Sequence, residues 1–183
     1  MIGNDIVDLN LAKTQSNWQR KGFLEKQFTQ QEQDEIWQSE NPFLKVWLFW
    51  SMKEAAYKCI VQKHQKRFFN PKKLECFLIS ENEGNVVFEN EFYYTKSTIF
   101  DNYIHTIASK EKGVNFASDL FLVNENSQQS NITNYKLLSF FGNETQLQKN
   151  KIGVPSLYKN NEKLAVSFST SHHGNYGGLV ILQ

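Results

Sequence analysis

The hydrophobic and polar positions along the chain predict short β-strands joined by polar turns. Residues 2–9 alternate between two faces, which is typical of a strand. A polar turn at residues 81–84 ends in Gly84 and predicts a hairpin between the strands on either side. The predicted strands are residues 2–9, 74–80, 85–88, 92–97, 103–109, 116–123, 165–169 and 176–182.

Helices are predicted from their start and stop signals. Thr29 and Glu32 have the spacing of a capping box, so a short helix should follow to about Gln38. Asn41 precedes a proline, which is the next start signal, and a long helix is predicted over Pro42–His64. Its predicted buried side consists of Leu44, Trp47, Leu48, Ala55 and Ile60.

Two further helices complete the prediction. One covers residues 18–28 and is interrupted or ended near Gly22, and the other covers residues 131–141 and is ended by Gly142. The order of helices and strands favours an α+β fold, in which a mostly antiparallel sheet packs against the long helix.

Composition narrows the class of protein. The chain has 183 residues, of which 40% are hydrophobic and 14% aromatic, so one folded domain over residues 1–183 is expected. Mean hydropathy is −0.54 and no apolar run approaches the ~20 residues of a bilayer span, so no membrane contact is expected. A net charge of +1 argues against a nucleic-acid partner. Two cysteines and the absence of a signal-peptide pattern favour a cytoplasmic protein.

Charge is uneven along the chain. The segment from residue 58 to residue 73 contains no acidic residue and carries six basic ones, Lys58, Lys63, Lys66, Arg67, Lys72 and Lys73. Such a run suits an anionic ligand or partner. A solvated helix end followed by a loop would have the same composition, so the run alone does not decide between them.

The first candidate chemistry lies on the long helix. Glu54 and Lys58 are four residues apart and share a helix face. An ordinary surface ion pair is one interpretation, but apolar neighbours flank both residues, and a carboxylate in such surroundings usually has a strong partner such as a metal ion. Asp5, at the end of the first strand, supplies a second carboxylate. Two carboxylates with water and phosphate oxygens commonly hold Mg²⁺.

A polar, glycine-rich stretch at residues 169–178 is the second candidate. It is predicted to be a turn between the last two strands, where the Ser171 hydroxyl, the His172 imidazole and backbone N–H groups could surround a phosphate. A plain hairpin loop and a chance His172–His173 pair are the alternatives. A hydrolase is disfavoured because there is no G-x-S-x-G motif.

These segments, in this order, resemble the 4′-phosphopantetheinyl transferase superfamily, and particularly its short holo-(acyl-carrier-protein) synthase branch. The central matches are Ile2-Gly3-Asn4-Asp5 and Trp50-Ser51-Met52-Lys53-Glu54-Ala55-Ala56-Tyr57-Lys58, with the two acids 49 positions apart. Weaker matches are Phe28-Thr29-Gln30-Gln31-Glu32, Phe69-Asn70-Pro71-Lys72-Lys73-Leu74, Gly153-Val154-Pro155 and Ser169-Thr170-Ser171-His172.

The chain also departs from the family pattern. Asn4 stands where the family usually has an aliphatic residue, and Val7 stands where the long, two-lobed branch often has a further acid. Residues 80–150 form a longer middle section that matches nothing in the short branch. Because the family builds its site between two similar lobes, two alternatives follow: a homo-oligomer, such as the trimer of the short branch, or a middle section that acts as the second lobe.

The resemblance implies a 4′-phosphopantetheinyl transferase-like fold and an activity. The enzyme would transfer 4′-phosphopantetheine from coenzyme A to a serine of an apo acyl or peptidyl carrier protein, with Mg²⁺, and release adenosine 3′,5′-bisphosphate. Asp5 and Glu54 would hold the metal, and Asp5, Glu54 and Lys58 would be the catalytic residues. Glu54, directly or through a bound water, would take the serine proton. Lys53, Lys58, Ser171 and His172 would bind coenzyme A.

Carrier proteins of this kind are acidic around the serine. The predicted docking surface is Lys13, Arg20, Lys21 and Lys26, although plain solvated side chains would look the same. Fatty acid biosynthesis is the first pathway to consider, with polyketide and peptide carriers as alternatives. Two other functions stay open: a non-catalytic coenzyme A-binding relative, and another Mg²⁺-dependent phosphate enzyme such as a small nuclease, which would need more clustered carboxylates.

Overall fold

A computed structural model describes residues 1–68, 70–123 and 128–183. The α-helices within these ranges are α1 (Leu9–Gln15), α2 (Phe23–Gln27), α3 (Gln30–Gln38), α4 (Pro42–His64) and α5 (Gln129–Ser139), and a 3₁₀ helix covers Pro71–Lys73. The strands are β1 (Ile2–Asp8), β2 (Glu75–Leu78), β3 (Glu83–Phe88), β4 (Glu91–Ile99), β5 (Tyr103–Ser109), β6 (Phe116–Leu122), β7 (Thr145–Lys149), β8 (Pro155–Lys159), β9 (Glu162–Lys163), β10 (Phe168–His173) and β11 (Tyr176–Leu182).

The first half of the chain forms an antiparallel sheet against the long helix. The sheet has five strands in the order β1-β5-β4-β3-β2, and α4 packs across one of its faces. The apolar core between them includes Val46, Phe49, Met52, Ala56 and Tyr93. Burying these side chains is the main stabilising contribution that this half can make.

The second half forms a separate small core. A three-stranded sheet in the order β10-β11-β6 packs against α5, and β7, β8 and β9 form another three-stranded sheet. The buried side chains of this core are Leu137, Leu157, Phe168, Leu179 and Ile181. Strand β10 lies along β1, so the two halves meet at a seam between these strands.

Gly3 allows β1 to approach α4 closely. A Cβ atom at this position would overlap the backbone carbonyl oxygen of Ala55 and would lie 3.1 Å from the sulfur of Cys59. Glycine is therefore required by the close approach of two backbones. As a result Asp5, two residues later on the same face of β1, lies against α4 as well.

The helix starts follow the predicted local signals. The Thr29 hydroxyl accepts a hydrogen bond from the Glu32 backbone N–H, and the Glu32 carboxylate accepts one from the Thr29 N–H, which completes the capping box. Asn41 caps α4 by accepting a hydrogen bond from the Leu44 N–H. Of the residues predicted to form the buried side of α4, Leu44 is half-buried and the others are buried.

The α+β prediction, with an antiparallel sheet on a long helix, is confirmed. Three details differ. Residues 18–22 are not helical, because Gly22 has a left-handed φ of 81° just before α2. The first strand stops at Asp8, because this side chain caps α1 by accepting a hydrogen bond from the Leu11 N–H, and Asp5 lies in the middle of β1 rather than at its end. The strand predicted over residues 165–169 is shifted: β10 covers Phe168–His173, so residues 165–167 precede it and residues 170–173, predicted as part of a turn, belong to it.

Three short strands after residue 144 were the hardest elements to anticipate, and of these only β7 lies within the middle section of residues 80–150. The short strands β7, β8 and β9 were not predicted individually, apart from the Gly-x-Pro segment at the start of β8. Phe69, in the segment that follows the long helix, lies outside the described residues. Among the helices that the structure describes, none has both the length and the apolar character needed to cross a bilayer.

Candidate functional site

A cavity at the seam brings together four residues predicted from the sequence. It has a volume of about 280 Å³ and is lined by Asp5 from β1, Lys58 from α4, and Ser171 and His172 from β10. The rest of its lining comes mainly from the second half of the chain: Ser130, Thr133, Asn134, Lys149 and Thr170. We call it the seam cavity. Its walls therefore come from both halves of the molecule.

A second, more basic cavity adjoins the first. It has a volume of about 360 Å³ and shares Lys58, Asn134, Lys149 and Thr170 with the seam cavity. Its lining contains the cations of Lys58, Arg67 and Lys149 against the single acid Glu54, together with apolar side chains. We call it the basic cavity. This excess of positive charge suits an anionic ligand.

Asp5 is a nearly buried carboxylate beside a cation. Its side chain is 14% exposed, and one carboxylate oxygen lies 3.6 Å from the Lys58 Nζ. Burial raises the pKa of Asp5 above 3.8, although Lys58, the Ser51 hydroxyl and His173 lower it. The ionised carboxylate is therefore poorly solvated, and additional positive charge nearby would stabilise it.

Glu54 has no direct partner. In the part of the chain that the structure describes, its carboxylate forms no hydrogen bond or ion pair, and the nearby Lys58 ammonium contacts Asp5 instead. Burial raises the pKa of Glu54 to about 7; the Asp5 carboxylate contributes to this rise and Lys58 opposes it. Glu54 and Lys58 therefore do not form the surface ion pair that was one interpretation of the sequence.

Lys58 links the two halves of the chain at the site. Its ammonium donates to the carbonyl oxygen of Asn4 at 2.6 Å and to that of Thr170 at 3.3 Å, besides lying near Asp5. The first carbonyl belongs to β1 and the second to β10. The position of this cation therefore depends on how the two strands lie against each other.

Lys53 faces a different environment from Glu54. Its ammonium lies 2.7 Å from the Glu32 carboxylate and donates to the Pro71 carbonyl oxygen at 3.0 Å, and both side chains of the pair are almost fully buried. Glu32 also accepts a hydrogen bond from the Cys76 N–H at 2.7 Å. These contacts are structural, and the assignment of Lys53 to coenzyme A binding stays a prediction.

Ser171 and His172 point into different surroundings. Ser171 is buried, and its hydroxyl accepts a hydrogen bond from the Asn4 side-chain amide at 2.9 Å. His172 is exposed, and its Nε2 lies 3.2 Å from the Ser130 hydroxyl. Desolvation at the cavity wall lowers the pKa of His172, and the positive charges of Lys58 and Lys149 lower it further. A neutral imidazole can donate or accept at this cavity wall.

The two carboxylates fit a divalent cation. The charge of Asp5 contributes to the raised pKa of Glu54, and a hard cation held by both carboxylates would relieve that repulsion. Among the described residues no third Asp, Glu, His or Cys joins them in a metal-binding group. Waters and substrate phosphate oxygens would have to supply the other positions, and the additional acids of a metal-dependent nuclease are not found there.

Several cavity residues were not anticipated from the sequence. Ser130, Asn134 and Lys149 come from the unmatched middle section, where no motif marked them. Arg67 lies in the basic run but was not singled out. Its guanidinium packs on Gly153, which has a left-handed φ of 79° and no side chain to displace it.

The predicted docking surface is accessible. Lys13, Arg20, Lys21 and Lys26 are all exposed in or near α1 and α2. Lys13 lies over the ring of Phe43 and Arg20 over that of Phe23, at 5.7 and 5.5 Å from the ring centroids. Accessibility is what a docking surface needs, and its use by a carrier protein stays a prediction.

The chain resembles known proteins in both its sequence and its structure. The family model described as the 4′-phosphopantetheinyl transferase superfamily matches residues 1–108, which include Asp5, Glu54 and Lys58. No curated protein sequence matches the chain. One similar solved structure is the holo-[acyl-carrier-protein] synthase of Thermotoga maritima, with 11% identity, a TM-score of 0.47, and coverage of 88% of this chain and 83% of that one.

Proposed function

Because this chain belongs to the 4′-phosphopantetheinyl transferase superfamily, we propose that it transfers 4′-phosphopantetheine from coenzyme A to a serine of an apo acyl or peptidyl carrier protein. The observation that carries the proposal is that Lys58 lies 3.6 Å from Asp5 in the seam cavity and lines the adjoining basic cavity together with Glu54. Ser171 and His172, on the wall of the seam cavity, add polar groups suited to phosphate oxygens.

Each residue has a role in the proposed reaction. The serine oxygen attacks the phosphorus that carries the pantetheine arm, the P–O–P bond breaks, and adenosine 3′,5′-bisphosphate leaves with the electron pair. Glu54, directly or through a water, accepts the serine proton, because its carboxylate has no partner among the described residues. Lys58 stabilises the negative charge that develops on the leaving phosphate.

Asp5 and Glu54 would hold Mg²⁺ at this place. When bound, the ion would offset the charge of the pyrophosphate and orient it for in-line attack. Asp5 is anchored for this task because β1 lies against α4 at Gly3 and because Lys58 lies 3.6 Å away. The cation would offset the poor solvation of both carboxylates.

Both sides of the proposed site come from one chain. The elements α5, β7 and β10 line the cavities opposite β1 and α4. This arrangement supports the alternative of a second lobe in the same chain, formed by the later part of the middle section together with β10, because β3, β4 and β5 belong to the first sheet. A homo-oligomer, including the trimer of the short branch, stays an untested prediction.

The direct test is a transfer assay. We expect that mixing the protein with coenzyme A, Mg²⁺ and an apo carrier protein will increase the carrier mass by one phosphopantetheine group, measured by mass spectrometry. Carriers for fatty acid, polyketide and peptide synthesis should be compared. The variant Lys21→Glu, assayed with the same carriers, tests the docking surface. If every carrier stays unmodified while calorimetry detects coenzyme A binding, the non-catalytic relative is favoured instead.

The basic cavity provides a second prediction. We expect Arg67 to bind the 3′-phosphate of coenzyme A, because its exposed guanidinium is held over Gly153 beside Lys149. Arg67→Ala should raise KM for coenzyme A about tenfold, since a hydrogen bond to a charged group contributes about 1.5–3 kcal/mol. KM for 3′-dephospho-coenzyme A should not change.

Lys66→Ala is the matched control, since it removes a neighbouring exposed charge outside the basic cavity. This variant should keep the wild-type preference for coenzyme A over 3′-dephospho-coenzyme A. If Arg67→Ala also keeps that preference, the 3′-phosphate is bound elsewhere, although the proposed transfer reaction would still stand.

A further inference from the structure

A buried polar cluster at the seam centres on Asn4. The Asn4 side-chain nitrogen donates to the Ser171 hydroxyl at 2.9 Å and lies 3.2 Å from the Nε2 of His105, which belongs to β5. The Asn4 backbone N–H donates to the Ser169 hydroxyl at 3.0 Å. Asn4 and His105 are almost completely excluded from solvent. One residue thus connects β1 with β5 and with β10.

The contact with His105 requires a neutral imidazole. The Asn4 nitrogen can only donate, so Nε2 must accept and the proton must reside on Nδ1. Burial, assisted by the charge of Lys58, lowers the pKa of His105 to about 4, so the ring is neutral near pH 7. Gly178 leaves room for the cluster, because a Cβ there would lie 3.2 Å from both nitrogens.

The cluster is incompletely satisfied. The side-chain oxygen of Asn4 is buried, and it has no hydrogen-bond partner among the described residues. Leaving such an oxygen unpaired opposes folding. Because the unpaired oxygen does not stabilise the fold, the contribution of this amide must come from its nitrogen, which contacts β5 and β10.

The same two strands also hold the ammonium group of Lys58, the proposed catalytic cation. The Lys58 ammonium sits between the carbonyl oxygens of Asn4 and Thr170, one on each side of the seam. Thr170 lies between the two serines of β10 that Asn4 contacts. If β10 moved away from β1, Lys58 would lose one of its two carbonyl partners.

We infer that Asn4 is a positioning residue whose side-chain amide holds β10 against β1 and thereby keeps Lys58 in place beside Asp5. It does not touch the reacting atoms. The expected effect of Asn4 on turnover rests on the proposed function. Its structural part, the restraint of Lys58, does not depend on which reaction the protein performs.

The test compares Asn4→Leu with wild type by two measurements. In the transfer assay we expect kcat to fall about tenfold to hundredfold, because a misplacement of about 1 Å can cost 10²-fold in rate. In reductive methylation of the folded protein, followed by peptide mass spectrometry, we expect Lys58 to be modified several times faster. Lys63, on the same helix, is the internal reference and should keep its rate.

Thr95→Val is the matched control variant. Thr95 is buried on β4 and its hydroxyl also has no hydrogen-bond partner within the described ranges, so this change removes a similar group away from the seam. We expect wild-type kcat and wild-type labelling of Lys58. Ser171→Ala is the second variant, for use if Asn4→Leu does not fold, and it should also accelerate Lys58 labelling.

Unchanged labelling of Lys58 in the variant that folds would overturn the inference, as would faster labelling with an unchanged kcat. If wild-type protein transfers nothing to any carrier, the proposed function fails. The labelling comparison still decides in that case whether the Asn4 amide restrains Lys58.

Discussion

Replacing Glu54 by glutamine is expected to lower kcat by about 10²–10⁴-fold, the range associated with loss of a general base. Glutamine keeps the size of the side chain but can neither accept the serine proton nor offer a negative charge to Mg²⁺. The measurement is the rate of carrier modification at saturating coenzyme A and Mg²⁺. Turnover at the wild-type rate would refute both roles assigned to this carboxylate.

Glu54→Gln should lower kcat without lowering the folding stability. Because the pKa of Glu54 is raised to about 7 in the folded protein from 4.5, folding becomes less favourable as the pH rises between these values. At pH 8 the ionised carboxylate opposes folding fully, so Glu54→Gln should have a Tm no lower than wild type. Glu144→Gln, an exposed control, should change neither kcat nor Tm.

Gly3→Ala is expected to destabilise the protein and to impair transfer together. The added methyl group would overlap the carbonyl oxygen of Ala55, so β1 and α4 must separate. Overpacking of this kind typically costs about 1–3 kcal/mol. Since 1 kcal/mol shifts Tm by about 2–4 °C for a chain of this size, thermal unfolding should show a clear decrease. Transfer falls because Asp5 moves with β1.

Gly142→Ala separates this effect from the general cost of replacing glycine. Gly142 has a left-handed φ of 87° but no atom within 4 Å of an added Cβ. Its replacement should cost about 1–2 kcal/mol through backbone strain alone and should leave kcat unchanged. A wild-type Tm for Gly3→Ala would contradict the close approach of β1 and α4.

Local signals in the sequence predicted the parts of the fold that local physics controls. The capping box at Thr29 and the Asn41-Pro42 start each depend on neighbouring residues, and both helices begin where predicted. Asp5 and Glu54 were proposed as metal ligands because the motifs that contain them match a family pattern, and this assignment stays a prediction. The charge of Asp5 contributes to the raised pKa of Glu54, which is consistent with that assignment.

Long-range partners explain what could not be predicted. The serines of β10 look like turn residues by composition, but their hydroxyls accept hydrogen bonds from Asn4, more than 160 residues away, and this pairing allows a polar strand to be buried. Lys53 lies in a motif next to Glu54, yet its ammonium pairs with Glu32 in another helix. Nothing near Lys53 or near the β10 serines in the sequence indicates these partners.

The seam between β1 and β10 has a consequence for protein synthesis. Its hydrogen bonds join residues 165 positions apart, and a ribosome adds amino acids in order from the N-terminus. The sheet against α4 can thus assemble while the wall formed by β10 does not yet exist, and Lys58 then lacks its Thr170 partner. A nascent chain in this state would carry both acidic side chains but could not complete the seam cavity, so we expect activity to appear only after β10 has been synthesised.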